Sequence, residues 1–326
     1  MSVYKNANHS FFSVCATLWC LAFLSHAHAD NSWDTRNTFQ GYLQSYSGAD
    51  ERKSTVNAGV YISADYLDFA NVSVGYNYTF VDFEGSGELA EHLFYLSGRH
   101  SFFLDILPGK LTTRFDVYLG QDTLSYRIGS APSHRGHRIL PSIGSSSVEE
   151  NSDITVYQPQ VTFINYARTF YADIGYARSE YDNETTIKVD QVTPTVGFGW
   201  NDSYDWLQLR GYFISVDNAD TAYDDDQFGS LEATYTHWFT NKGGPQMEFI
   251  RLSALTGERV LAVDPDAAAV YSTADKQTGA ITASVQWKLS QSSNVLALAS
   301  YGQNENNAIN DNYDSLLFYI NLQQHW

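Results

Sequence analysis

The sequence is short of several things, and each shortage removes a class of protein. It has two cysteines, Cys15 and Cys20, both within residues 1–29. A chain cut after that segment holds no disulfide and no thiolate ligand for a metal. Basic residues are scarce: 19 Lys and Arg stand against 37 Asp and Glu, a formal charge of −18. Nucleic acid is therefore not an expected partner, because phosphate binding needs clustered Lys and Arg. After Ala29 no stretch approaches the roughly 20 apolar residues of a transmembrane helix. Any crossing of a membrane must then use strands, since only helices and closed barrels satisfy every backbone polar group in lipid. Amphipathic helical periodicity of any length is missing as well.

What is present begins with a targeting segment. Lys5 is followed by an apolar run from Phe11 to Leu24, and Ala27 and Ala29 flank His28 before Asp30. That is the layout of a cleavable secretory signal, with residues 1–29 removed and 30–326 forming the mature domain. Val14 and Trp19, which precede the two cysteines, argue against a lipoprotein anchor, where small residues are expected. Loss of the single lysine in this segment leaves 18 basic against 37 acidic side chains, a formal charge of −19.

The rest of the chain is rich in aromatics, with 23 Tyr, 19 Phe and 7 Trp, yet its mean hydropathy is −0.31. Such a balance fits elements that are apolar on one face only, and the period is two almost everywhere. Val72, Val74, Tyr76, Tyr78 and Phe80 alternate with Ser73, Gly75, Asn77 and Thr79. The same alternation recurs at 56–64, 115–119, 170–176, 192–200, 231–239, 279–289 and 316–326, with weaker segments near 37–46, 92–102, 154–164, 205–215, 247–256 and 294–302. Together these predict about fourteen strands, with twelve or sixteen within the boundary error.

Connection lengths alternate too. Short ones fall near 67–69, 104–110, 165–168, 201–205, 240–246 and 290–293. Longer, polar or acidic ones fall at 48–54, 82–91, 123–153, 179–188, 216–227, 257–277 and 303–314. Short turns at one rim and long loops at the other predict an all-β fold: a closed antiparallel transmembrane β-barrel with short periplasmic turns and long extracellular loops. Trp200, Trp206, Trp238, Trp287 and Trp326 all fall by the proposed periplasmic rim, where indole rings suit the headgroup interface.

The last strand carries a resemblance. Phe318, Ile320 and Leu322 alternate toward a terminal Trp326, although Gln324 interrupts the file. This end resembles the C-terminal targeting strand of Gram-negative outer-membrane barrels, porins among them. The resemblance implies recognition of Phe318, Ile320, Leu322 and Trp326 by the barrel-assembly machinery, and a setting in outer-membrane lipid and lipopolysaccharide. The segment 306–326 is also weakly similar to the ends of barrels in surface lipoprotein assembly modifiers and polysaccharide exporters, whose helical regions this chain lacks.

If the apolar files face lipid, strand charges face inward, because a charge facing lipid at the midplane costs roughly 2–4 kcal/mol. Arg114, Asp116, Asp173, Arg210, Glu232 and Lys288 share that parity and are expected to line a pore, or to brace its wall by pairing across it. The connection 123–153 holds Arg127, Arg135 and Arg138, a basic cluster in an acidic chain. By its third place among the outward loops it is expected to constrict the lumen. His134 and His137 lack a third ligand of suitable spacing, so no metal is expected, and no cofactor is implied. Nor do the remaining histidines, near strand ends, stand beside any nucleophile or acid pair that would make an enzyme. The strand glycines Gly75, Gly175, Gly197, Gly199 and Gly211 mostly share the inward parity and read as wall-curving positions. Two functions follow: a porin-like channel for small hydrophilic solutes of unknown identity, or a non-conducting accessory barrel that assists surface export or presents its loops to a partner.

Overall fold

The computed structural model describes residues 33–84, 87–128, 146–182, 186–217, 225–240, 245–264, 266, 269–270, 275–306 and 311–326, the side chains of 126–128 and 146–149 excepted. The expected signal segment lies outside this range. Strands β1 (Trp33–Ser47), β2 (Arg52–Tyr66), β3 (Ala70–Phe83), β4 (Gly87–Leu104), β5 (Gly109–Ile128), β6 (Ser146–Asn165) and β7 (Phe170–Asp182) form the first half of a meander. It continues through β8 (Ile187–Trp200), β9 (Asp205–Asp217), β10 (Gln227–Trp238) and β11 (Gln246–Arg259). Two short strands, β12 (Val263–Asp264) and β13 (Ala269–Val270), form a separate hairpin before β14 (Lys276–Lys288), β15 (Ser293–Asn306) and β16 (Asp311–His325).

Each long strand pairs antiparallel with its neighbour in sequence, and β16 pairs with β1 to close a barrel of fourteen strands. The closing register sets Phe39 against Leu322 and Gly41 against Ile320, and the Trp326 N–H donates to Thr35 O at 2.9 Å. Closure leaves no free sheet edge.

The two faces of the wall are inverted relative to a soluble domain. Phe94, Leu96, Phe213, Ile281, Phe318 and Ile320 are exposed on the outside, Ile281 at 66%. Asn57, Asp116, Gln158, Thr193, Thr195 and Arg210 are buried on the inside. Large apolar surface facing out around a whole barrel is what acyl chains cover, and polar groups facing in are satisfied by one another and by water.

The strands run longer than the alternation alone indicates. A transmembrane strand needs about 9–11 residues, whereas β4 has 18 and β5 and β6 have 20 each. The ladder between β5 and β6 continues through Thr123↔Asn151 to Ile128↔Ser146. Both ends of the expected loop 123–153 are therefore strand, and its connection shrinks to 129–145, outside the described residues. The connections at 84–86, 183–186 and 307–310 are likewise shorter than expected. The physical reason is that these strand tops stand above the apolar belt, where both faces meet water and the period-two signal fades.

The short-turn rim is built from tight connections with left-handed residues. Leu67 has φ 47° and Arg168 has φ 53°. The Asn165 side chain closes its own turn, its Oδ1 accepting from the backbone N–H of Thr169 at 2.9 Å and of Phe170 at 3.0 Å. Asparagine does this because its side chain mimics a backbone turn.

Candidate functional site: the barrel lumen

The connection whose described residues enter the lumen is the sixth at the long-loop rim, 260–275; the third, expected to constrict it, spans 129–145, outside the described residues. Entry of the sixth is prepared at the top of β11, where pairing with β14 shifts register between Thr256 and Arg259. Gly257 sits there at φ +97°, and a Cβ at that position would lie 2.5 Å from Gly229 O. Only glycine permits this bulge, and a bulge re-aims the chain that follows. Val260, Leu261, Ala262 and Val263 are then buried inside the barrel.

The wall holds the loop by groups matched to it. The Gln191 side chain on β8 reads the loop backbone as a strand would: its Nε2 donates to Val263 O at 2.7 Å and its Oε1 accepts from Val263 N at 3.0 Å. Arg210 on β9 donates from Nη2 to Asp266 at 2.7 Å, and its Nη1 lies 3.8 Å from Asp264. Its Nε donates to Thr195 at 3.1 Å. Asp264 also accepts from the Asp266 N–H at 3.0 Å, which fixes the turn between them. At its far end the loop is tied by Asp275, which pairs with Arg52 on β2 at 2.5 Å and accepts from the Tyr313 hydroxyl. β9 and β2 are seven places apart in the ring of fourteen, so the loop is strapped across the bore rather than laid along one wall.

On one side of the strap the lumen is packed. Tyr118, Val156, Val189, Tyr212 and Ile154 contact a continuous cluster that includes Leu261 and Val263, and Tyr118 and Tyr212 have no exposed surface. Arg114 lies in this half, donating to Asp116 at 2.9 Å and to the Tyr95 hydroxyl at 2.9 Å.

On the other side a cavity of about 830 Å³ remains open. Its lining begins near the long-loop ends of β1 and β2 with Tyr46 and Arg52, and reaches Trp206 and Trp238 at the short-turn ends of β9 and β10. Between them lie hydroxyl, amide and charged groups, among them Gln44, Asn77, Gln208, Thr234, Arg251 and Ser300, interspersed with apolar ones such as Leu255, Leu296, Leu298 and Leu317.

The six residues expected to line the pore all share the inward parity but separate in place. Arg210 and Glu232, adjacent in register, line the cavity. Arg114 and Asp116 pair with each other in the packed half. Asp173 faces in and is held by Gln160 at 2.5 Å and Thr162 at 2.8 Å, away from the cavity lining. Lys288 ends β14 at the short-turn rim, below the cavity. Arg127 lies on β5 rather than in a loop, while Arg135 and Arg138, with His134 and His137, fall outside the described residues. Phe318, Ile320, Leu322 and Trp326 are exposed on the outer face of the closing strand and beyond its end.

Two tryptophans depart from the expected interfacial ring. Trp206 and Trp238 turn into the lumen, and the reason lies in the wall beneath Trp206. A Cβ at Gly197 would lie 2.8 Å from its indole and one at Gly199 2.7 Å, so the two glycines form the recess that receives the ring. Gly75 likewise lies under Tyr61, whereas Gly211 faces out beside Phe213 and Pro194. Of the histidines, His92 stands within β4 and accepts or donates at 2.7 Å with the Tyr76 hydroxyl, rather than at a strand end. His237 pairs with Asp205 at 2.7 Å at the short-turn rim.

Gln191, Asp264, Asp266, Asp275, Arg251 and the buried tyrosines were not among the expected site residues. For the loop a signal exists: Val260 to Val263 and Ala267 to Val270 form apolar patches inside a connection otherwise classed as polar. An outward loop that carries apolar side chains has something to bury.

No protein-family model matches the chain, and no curated protein matches it in sequence. Solved structures match it in shape. The Ralstonia pickettii toluene transporter TbuX aligns over 91% of this chain and 90% of its own, with 7% identity and a TM-score of 0.55. The Pseudomonas putida toluene transporter TodX aligns over 91% of each chain at 8% identity and a TM-score of 0.54. A TodX variant described as a monoaromatic hydrocarbon channel aligns over 91% of each chain at 9% identity and a TM-score of 0.57. Identities this low speak for architecture alone, and with the closed ring of fourteen outward-greasy strands they agree that this chain has the fold of an outer-membrane β-barrel.

Proposed function

We propose that the protein is a passive channel of the outer membrane that admits small hydrophilic solutes and catalyses no reaction. The observation that carries this reading is the cavity running along the bore from Arg52 to Trp238, in whose lining charged, amide and hydroxyl-bearing residues outnumber the apolar ones. The structural neighbours are described as carriers of aromatic hydrocarbons; here the charged groups on the lining, Arg52, Arg210, Glu232 and Arg251 among them, favour a polar solute, because a charge that gives up water to an apolar one gains no partner in return. The loop 260–275 narrows this path. Delivery by the segment 1–29 and assembly through Phe318, Ile320, Leu322 and Trp326 belong to the same proposal, as do the surrounding lipid and lipopolysaccharide.

Planar-bilayer recordings test it. The refolded protein should pass ions in discrete steps, and a variant with 260–275 replaced by a short turn should give steps several-fold larger. A specific observation favours a second reading: Val260 to Val263 are buried inside the barrel against residues of the wall. If neither the intact protein nor the shortened variant conducts, the barrel is a closed accessory one.

A further inference from the structure

Two charges in the cavity have no ionic partner. Arg251 on β11 lines the cavity and is exposed to it. Its Nε donates to Thr236 at 3.2 Å and its guanidinium stands 5.2 Å from the Phe249 ring, yet among the described residues no carboxylate lies within ion-pair distance. Among the described residues its Nη groups donate to no protein acceptor. Glu232 on β10 lines the same cavity and accepts from the Tyr212 hydroxyl at 3.0 Å, and no cation among the described residues reaches it. The other charges of this region are engaged: Arg210 with Asp264 and Asp266, Arg52 with Asp275, and Arg259 with Gln277 at 2.6 Å. A site that presents one charge of each sign to the same cavity, neither in a close ion pair, is suited to a ligand that supplies both partners.

Register arranges the two charges in a row. Thr236 is opposite Arg251, Thr234 is opposite Ser253, and Glu232 is opposite Leu255. Glu232 and Arg251 are thus four residues apart along the paired strands, about 13 Å at ~3.3 Å per residue. Thr234 and Ser253, which also line the cavity, lie between them. Long side chains reaching from both ends leave a gap suited to a solute whose charges are separated by several bonds, with hydroxyls at its middle.

We propose that β10 and β11 form a subsite for dipeptide-sized zwitterions, with Arg251 binding the carboxylate, Glu232 binding the ammonium, and Thr234 and Ser253 meeting the peptide group. This rests on the hydrophilic-channel reading and names the solute class that the channel retains.

The test uses the full chain in detergent, with glycylglycine as the probe and tryptophan emission as the readout, since Trp238 follows Thr236 at the next inward position. The wild type should show a saturable change that weakens as NaCl is raised, and erythritol should give none. Arg251→Gln and Glu232→Gln should each weaken the apparent affinity at least roughly threefold, the scale of a partly hydrated ion pair. Neutral N-acetylglycinamide should fail to compete with glycylglycine on the wild type, a control that needs no variant to fold. The subsite is overturned by an unsaturable or salt-independent response, by wild-type affinity in either variant, or by effective competition from the neutral amide. Liposome swelling separates the two readings: a saturable, charge-dependent titration with no swelling for any solute would sink the channel and leave the subsite standing.

Discussion

The two halves of the lumen are built from the same alternating strands and end in opposite states. Between β4 and β9 the inward positions carry Tyr95, Tyr118, Val156, Val189 and Tyr212, and the loop 260–275 brings its apolar residues to meet them. From β10 through β16 and round to β3 the inward positions that line the cavity are mostly Thr, Ser, Asn, Gln and charged groups, with Leu255, Leu296, Leu298, Leu317 and tyrosines among them. The wall is one continuous ladder, so backbone geometry does not distinguish the halves. Side-chain volume and polarity do: large apolar or aromatic groups create a surface that a loop can dry, and small hydroxyls leave one that water keeps.

The difference can be attacked from the packed side first. Tyr118→Ala should lower stability by roughly 3 kcal/mol, the scale of a large core truncation, while Leu298→Ala on the cavity wall should cost about 1 kcal/mol. Urea unfolding in lipid vesicles measures both, and similar losses would mean that the two halves are equally packed. Next in size is the strap itself. Asp264→Asn with Asp266→Asn removes the charged partners of Arg210 and should weaken loop docking by roughly 1.5 kcal/mol, a low figure for charged hydrogen bonds because Asp266 is 60% exposed. Faster hydrogen exchange at the Val263 amide and more frequent full openings in bilayers would report it; unchanged exchange would show that Gln191 and burial suffice. The smallest effect is expected at Lys288→Gln, which should leave unit conductance as it was, since that side chain lies below the cavity lining.

Much of this architecture was legible in the alternation of the strands, and most places where reading failed share a cause. Period two marks a strand only where its faces differ. At the top of β6, from Glu149 to Asp153, both faces are polar, so the strand there reads as loop, whereas at the top of β5 Leu124 and Tyr126 keep an alternation that went unread. The inward charges were legible as inward because lipid forbids the alternative, but their partners were not. Parity places Arg210 inside without revealing that Asp264 and Asp266 return to it from a loop more than fifty residues away in sequence. Trp206 and Trp238 show a signal that lost to a competing rule. They share the parity of Arg210 and Glu232, which puts them inside, yet their position near a rim suggested the interface. Where the two rules conflict, the pleat decides, because a strand cannot turn one side chain outward without turning all the others.

Gly197 and Gly199 have one more consequence. The indole of Trp206 can lie against the wall because two methyl groups are missing beneath it, and the Arg168 carbonyl, 2.5 Å from where a Gly199 Cβ would be, gives the backbone no room to retreat. Restoring either carbon would tip the ring on edge into the lumen. The width of the bore at that rim is thus set by atoms the protein omits, and a substitution that adds one carbon and two hydrogens to the wall would narrow it.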